Sequence, residues 1–329
     1  MAVTLAEAKN NAMQDYDPFV IDEFRKSSAI LDSLVFDQAV NPAGGGATLE
    51  YGYRRLKTQP TAAFRALNSE YAASEVTTEK HSVTLAVLGG KFSVDRVIAE
   101  LGPSASGAIA LNMTQKIKAA ATLFQDAVIN GDTGTDVNAF DGLDKALTGS
   151  STEMEPVNGT YDWTDPSGDK GFGILDTLDE FLGLLDGTPT VLVANRKTIA
   201  KVRAAVRRTS MYVREPVEDL LGSNGRPIDR ESYGGILLVD AGEKAGSNDP
   251  IIPVAVDGTT SIYAYRVGLD GFHGVTTVGS NLVRTWLPNF ASSGAVKDGE
   301  VELGPVGVAL KATKAAAVLR KVKVGAAQG

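Results

Sequence analysis

The chain has 329 residues, 43% of them apolar and 22% charged, with a formal net charge of −8. This length and composition predict a folded protein of two or three lobes, and the acidic balance argues against a protein that grips nucleic acid through its phosphates. The absence of cysteine excludes disulfides and thiolate metal sites, and the lack of a signal peptide or a membrane-length apolar run predicts a protein folded in a cytosol.

An arm and then a two-stranded ribbon are predicted first along the chain. Residues 1–45 hold short apolar stretches and end at a Gly-rich break, which indicates an N-terminal arm with local helix. Apolar residues then alternate with polar ones at 47–58 and again at 82–88, a period of two that predicts antiparallel strands. The polar segment between them predicts a long, loose tip.

This ribbon, residues 46–90, is expected to lie on a second copy of the chain. A lone two-stranded sheet is marginal in water, and so long a structureless tip is unusual within a compact domain. Both objections disappear if a neighbouring subunit covers the ribbon. The candidate contact residues on it are Leu49, Tyr51, Tyr53, Arg55, Lys57, Phe64 and Tyr71.

A long amphipathic helix is predicted over 104–130. Its apolar positions recur every three or four residues, and they are Ile109, Met113, Ile117, Ala120, Phe124 and Val128. Such a helix is about 40 Å long. Asn130 and Gly131 predict a left-handed stop at its end.

The pattern after residue 142 predicts an α/β lobe followed by many strands. An amphipathic helix around 172–185 precedes a buried strand at 190–194, and Asn195 is predicted to cap a second helix. Further predicted strands are 236–239, 251–256, 261–267, 282–287, 299–303, 306–310 and 317–324.

The acidic segment after the long helix raises the question of catalysis. Asp132, Thr133 and Gly134 spell the tripeptide of an aspartic protease, but a helix end precedes them where the protease needs an apolar strand. The spacing of Asp132, Asp136 and Asp141 does not match a calcium loop. We therefore expect a turn whose acids face water, and we expect no catalytic, cofactor or metal site.

Histidines and a basic cluster complete the candidate residues. His81 and His273 are isolated, which favours surface or interface positions over a zinc site. The predicted second helix carries Arg196, Lys197, Lys201, Arg203, Arg207 and Arg208, with Arg214 after it. This pattern favours a solvated face with subunit contacts at Arg196, Lys197, Arg207 and Arg208, or contact with an acidic neighbour around a symmetry axis.

The order of these elements resembles that of one family. The segments that carry the likeness are "LAVLGGKFSVDRVIAEL", "AVINGDTGTDVNAFDGL", "TVLVANRKTIAKVRAAV", "YGGILLVDAG" and "VKDGEVELGPVGVALKATKAAAVLRKV". Together they resemble the major capsid proteins of tailed bacteriophages, the Hong Kong ninety-seven fold, over residues 15–324.

The resemblance implies an α+β capsid fold with assigned regions. These are an N-terminal arm at 1–45, an extended loop at 46–90, a peripheral domain with a spine helix at 91–141, an α/β axial domain at 142–252, and peripheral return strands at 253–329. It implies a non-enzymatic shell protein without cofactors that forms hexamers and pentamers around double-stranded DNA, without sequence-specific binding or a membrane. The expected location is the virion, with assembly in the host cytoplasm.

The sequence departs from the family pattern in two features, the length of the N-terminal segment and the residues of a covalent cross-link. Only a short segment precedes the ribbon, so we expect an uncleaved chain whose scaffolding protein is separate or absent, with portal and cement proteins as further partners. A family isopeptide cross-link would need Lys57, Asn289 and Glu300 or Glu302, which are only loosely placed, so non-covalent contacts are the default. The alternatives are an encapsulin-like compartment, which the long polar tip disfavours, and an aspartic-type protease.

Overall fold

The computed structural model describes residues 29–41, 48–100, 103–208, 214–221, 227–277 and 282–325. These ranges hold six α-helices and fifteen strands. The helices are α1 Ala29–Ser33, α2 Arg96–Glu100, α3 Pro103–Asn130, α4 Leu143–Leu147, α5 Asp169–Leu182 and α6 Arg196–Arg208. The strands are β1 Phe36–Val40, β2 Glu50–Thr58, β3 Thr77–Thr84, β4 Ala86–Asp95, β5 Glu153–Met154, β6 Tyr161–Asp162, β7 Val191–Ala194, β8 Arg214–Leu221, β9 Pro227–Tyr233, β10 Ile236–Asp240, β11 Thr259–Tyr265, β12 Phe272–Thr277, β13 Val283–Trp286, β14 Val296–Leu310 and β15 Ala316–Lys323.

Three sheets organise these strands. A five-stranded sheet has the order β1-β12-β14-β13, with β4 also paired to β14. An eight-stranded sheet runs β5-β15-β11-β7-β10-β9-β8, with β6 also paired to β15. The ribbon forms its own two-stranded sheet from β2 and β3. The mixture of helices and sheets confirms the predicted α+β class.

The ribbon has the predicted antiparallel strands, but its second strand is displaced. Tyr51 pairs with Val83 and Tyr53 with His81, so the returning strand is β3, which ends at Thr84. The predicted strand over 82–88 joins the end of β3 to the start of β4. The alternation of apolar residues continues across the junction at Leu85, so it does not show where one strand ends. The two strands differ in their partners, because β3 pairs with β2 whereas β4 pairs with β14 in the five-stranded sheet.

The predicted long helix is confirmed as α3, which has 28 residues and is therefore about 42 Å long. It packs against β4 and β14, and near its end the side chains of Phe124 and Val128 are fully buried. The predicted left-handed stop is wrong, because Gly131 does not have a positive φ. A Cβ there would lie 2.3 Å from the carbonyl oxygen of Phe140, so close approach of the chain requires glycine.

The eight-stranded sheet lies between two apolar clusters. Alternate residues of β7 divide between them: Val191 and Val193 pack with the end of α3, whereas Leu192 and Ala194 pack with α5 and α6. The same division holds for β11 and β15. At β7, β11 and β15, both faces of this sheet are therefore covered by the chain itself.

The cap of α6 is confirmed, since the side-chain oxygen of Asn195 accepts a hydrogen bond from the backbone N–H of Lys197 at 2.9 Å. The predicted strand over 251–256 is wrong. Ile251 and Ile252 are buried, but they lie in an irregular segment that pairs with none of the described strands. The apolar run therefore reflects burial and not a strand. The predicted strands at 299–303 and 306–310 are parts of one strand, β14.

The return strands divide between the two larger sheets. Strands β12, β13 and β14 lie in the five-stranded sheet, whereas β11 and β15 lie in the eight-stranded sheet, where β11 pairs with both β15 and β7. Residues from the predicted axial range and from the predicted return range thus share one sheet. The division of the chain into domains stays a prediction.

Candidate interaction surface

The tip of the ribbon, residues 59–76, projects from the molecule without helix or strand. Every residue from 56 to 80 is exposed. The tip nevertheless carries large apolar side chains, since Phe64 and Tyr71 are 108% and 63% exposed. The guanidinium of Arg65 lies 5.4 Å from the ring centroid of Tyr71, so the tip has some local order. Apolar groups concentrated on such a projection are typical of an interaction site.

The base of the ribbon, in contrast, is bound to its own chain. Tyr51 is buried, and its hydroxyl donates a hydrogen bond of 2.8 Å to the carboxylate of Asp37. The hydroxyl of Tyr53 donates to the carbonyl of Leu310 at 2.9 Å, and Arg55 donates to the same carbonyl and to that of Lys311. Burial raises the pKa of both tyrosines, so these hydroxyls stay protonated donors at neutral pH.

The predicted contact residues of the ribbon therefore fall into two groups. Tyr51, Tyr53 and Arg55 make the contacts to the body just described, and sequence reasoning did not find this docking. The other four candidates are exposed, namely Leu49, Lys57, Phe64 and Tyr71. Contact of either group with a second copy stays a prediction.

The basic cluster on α6 lies on one side of an amphipathic helix. Its opposite side, including Ile199 and Val202, is buried against the eight-stranded sheet. Arg196, Arg207 and Arg208 are exposed and Lys197 is partly exposed. Arg196 donates to Asp240 at 3.2 Å. This arrangement leaves Arg207 and Arg208 near the end of the helix as exposed cations.

The acidic segment between α3 and α4 is a compact, ion-paired loop. The ammonium of Lys145 lies 2.6 Å from Asp132 and 2.9 Å from Asp141. Hydrogen bonds from Lys145 and backbone N–H groups hold the pKa of both carboxyls below the usual range. An aspartic protease needs two carboxylates that share a proton. The loop favours the opposite state, two ionised carboxylates on one cation, and so argues against the protease alternative.

Glycines close this loop against the end of α3. The N–H of Gly142 donates to the carbonyl of Gly131 at 2.8 Å, which ties the two ends of the loop together. A Cβ on Gly142 would lie 2.5 Å from the carbonyl oxygen of Ala127. The loop thus fixes the direction in which the chain leaves the long helix.

The two histidines differ from each other. His81 is partly exposed on β3 and stacks on Tyr53 with 5.6 Å between ring centroids. The predicted surface or interface position of His273 is wrong for the single chain, because this side chain is 0% exposed within strand β12. The neighbouring Gly274 is required by the ring of Phe36, which a Cβ would approach to 2.4 Å.

A cleft of about 720 Å³ lies at the carboxyl ends of β7 and β10, where parallel strands often bind ligands. Three of its polar side chains are engaged within the chain: Asn195 caps α6 and donates to the carbonyl of Ile252, and Asp240 accepts from Arg196. Within the described ranges, no group of three potential metal-binding side chains occurs, and no helix is long and apolar enough to cross a membrane.

Comparison with known proteins gives structural matches over the whole chain. No protein-family model and no curated protein matches it. The holo-SrpI encapsulin complex from Synechococcus elongatus has 16% identity and a TM-score of 0.59, covering 100% of this chain and 99% of the other. The capsid of a native GTA particle has 14% identity and a TM-score of 0.58, covering 98% and 99%. The capsid of the Myoviridae phage XM1 has 13% identity and a TM-score of 0.57, covering 96% and 98%.

These matches extend along nearly all of both chains, so they concern the arrangement of the ribbon, the long helix and the sheets together. Their low identity leaves the fold as the property that is shared. The chain has the Hong Kong ninety-seven capsid fold, the fold of tailed-phage capsid and encapsulin shell proteins.

Proposed function

We propose that this chain is the major capsid protein of a tailed phage and assembles into the icosahedral shell around its double-stranded DNA. The observation that carries the proposal is the exposed tip of the ribbon, with Phe64 and Tyr71 in solvent, on a chain whose fold matches capsid shells over nearly its full length. Identical chains close into shells through repeated contacts, and a projecting tip can supply one of them.

The body of the molecule suits a passive structural role. The acidic loop is ion-paired, and Arg196 and Asp240 in the cleft bind each other. Without cysteine the shell has no disulfides, and we expect non-covalent contacts to hold its hexamers and pentamers together. Permanent interfaces of this kind bury on the order of 2,000 Å² or more. We expect the contacts to involve the tip and the exposed arginines of α6.

An encapsulin-like compartment is the second candidate. The match to the holo-SrpI encapsulin complex favours it, because that match covers 100% of this chain. Both candidates predict a closed shell, but they differ in content. A phage capsid encloses DNA, whereas the alternative encloses a protein cargo.

Electron microscopy of the expressed chain tests the shared part of both candidates. We expect closed particles of uniform size, and a protein that stays monomeric when concentrated would contradict the proposal. Particles purified from the native source then decide between the candidates. Nuclease-protected DNA supports the capsid, and an enclosed enzyme identified by mass spectrometry supports the compartment.

A further inference from the structure

A buried histidine lies directly beneath the base of the ribbon. His273 on β12 pairs with Ala309 on β14, and its side chain is 0% exposed. The ring of Tyr51 meets it edge-on, with 5.8 Å between ring centroids and an interplanar angle of 82°. Tyr51 comes from β2, so one side of this histidine is covered by the ribbon and the other by the five-stranded sheet.

This histidine is suited to the neutral state. Among the described residues, neither of its ring nitrogens has a hydrogen-bond partner of normal geometry. A protonated ring carries two N–H donors and a charge, and burial of a charge without partners is costly. The packing that covers His273 therefore requires an uncharged ring.

The charged and titratable groups that contact His273 or act on it electrostatically are Asp37 on β1, Tyr51 on β2 and Lys311 after β14. Tyr53, Arg55 and His81 also lie at the base of the ribbon, where Tyr53 contacts Tyr51, Arg55 and His81. Asp37 already accepts a hydrogen bond from Tyr51, and the ammonium of Lys311 lies 4.0 Å from the same carboxylate. The nearest carboxylate is thus shared between two other groups.

The balance of these influences disfavours a charged ring. Burial is the main factor that lowers the pKa of His273 from its ordinary value, and the positive charge of Lys311 acts in the same direction. Asp37 and the backbone near Gly268 and Gly271 act in the opposite direction and are outweighed. Since the folded arrangement binds the proton less well than an open one, stability is lost as the pH falls below about 6.5.

We propose that His273 is a proton-sensitive clamp on the ribbon: its neutral ring lets the base of the ribbon rest on the five-stranded sheet, and its protonation releases that base. Release would change the direction in which the ribbon tip points. The clamp is a property of the single chain and goes beyond the proposed assembly. It predicts that acidification moves the ribbon before the eight-stranded sheet unfolds.

The first test measures the protonation of both histidines in the unmodified protein. Exchange of the imidazole C2 hydrogen, followed by mass spectrometry across pH, reports a pKa for each histidine in assemblies of any size. The sequence holds only two histidines, so His81 serves as the internal control. We expect slower exchange for the buried His273 than for the partly exposed His81, and a pKa of His273 below its ordinary value. A His273 that titrates near 6.5 and exchanges as fast as His81 would overturn the proposal.

The second test measures the position of the ribbon. Because the chain has no cysteine, spin labels can be attached at Lys57→Cys on the ribbon and Lys314→Cys on the body, both exposed positions. Their distance distribution is recorded at about pH 7.5 and about pH 5.0. We expect it to broaden or shift at the lower pH in the parent chain and in the control His81→Phe, but not in His273→Phe.

Two results would contradict the clamp: no pH response in the parent chain, or an equal response in His273→Phe. The exchange experiment needs no substitution at His273, so it tests the clamp even if that variant does not fold. Particle size is recorded at both pH values. A failed clamp with intact particles leaves the proposed shell function standing, whereas a ribbon that responds in a protein without particles supports the clamp alone.

Discussion

The eight-stranded sheet and the ribbon differ in how much of their surface is buried within the chain. At β7, β11 and β15, both faces of the sheet are covered by apolar side chains of the same chain, and residues such as Val193 and Ala264 are 0% exposed. The ribbon is covered only at its base, and all of its residues from 56 to 80 are exposed. The core of the sheet is packed within one molecule, whereas we propose that a second molecule covers the exposed part of the ribbon. The four predictions that follow test this difference, in decreasing order of their effect on the stability of the single chain.

A substitution in the apolar core beside the eight-stranded sheet should have the largest effect on the free energy of unfolding. Phe181→Ala removes a fully buried ring from the packing of α5, and we expect the free energy of unfolding to fall by about 3–5 kcal/mol. Denaturant titration measures this change. Phe172→Ala is the matched control on the same helix, since Phe172 is 54% exposed, and equal losses in the two variants would contradict the described packing.

Loss of a hydrogen bond from a partly buried network should have an intermediate effect on stability. The hydroxyl of Tyr263 donates to Asp144 at 2.8 Å, and the same carboxylate receives Arg320 at 2.7 Å. Tyr263→Phe should lower the free energy of unfolding by about 1.5–3 kcal/mol, because a bond to a charged group is lost. Tyr233→Phe, which loses a more exposed bond to Asp179, should cost less. The order of the two losses in denaturant titration is the decisive result.

A substitution at the base of the ribbon should change stability only in the ribbon itself. Tyr53→Phe removes the hydrogen bond from the ribbon to the carbonyl of Leu310, which is worth about 0.5–1.5 kcal/mol. We expect faster amide hydrogen exchange in β2 and β3 and unchanged exchange in the eight-stranded sheet. Uniformly faster exchange in both regions would show that the ribbon and the sheet open together.

Substitutions in the tip should have the smallest effect on the stability of the single chain and the largest effect on assembly. Phe64→Ser combined with Tyr71→Ser changes only exposed side chains, so the free energy of unfolding should stay within about 0.5 kcal/mol. The same variant should form fewer particles in sedimentation. Val157→Ser, at a side chain that is 97% exposed elsewhere, is the control for the loss of an exposed apolar group. Full assembly of the double variant would mean that the tip is not needed.

Sequence reasoning predicted the elements with local signals. The period of α3, the alternation in β2 and the cap at Asn195 are all properties of neighbouring residues, and each was confirmed. The prediction of a strand over 251–256 was wrong, because Ile251 and Ile252 are buried there without pairing to any described strand, and burial alone does not specify strand pairing.

The contacts between distant segments could not be predicted. The docking of Tyr53 on Leu310 joins residues 257 positions apart, and no local pattern encodes it. The position of His273 was missed for the same reason, because strands that cover it come from three other parts of the chain. The glycines at 131 and 142 showed where a turn lies, but only the approach of Phe140 and Ala127 explains why glycine is required there.

A photo-crosslinking amino acid in place of Phe64 tests most directly whether the ribbon is completed by a second molecule. After irradiation of the concentrated full chain, denaturing gels and mass spectrometry identify the partner of the exposed tip. We predict bonds to another copy of the chain, seen as covalent dimers and larger species. Bonds confined to the same chain, in a protein that remains monomeric, would contradict the account.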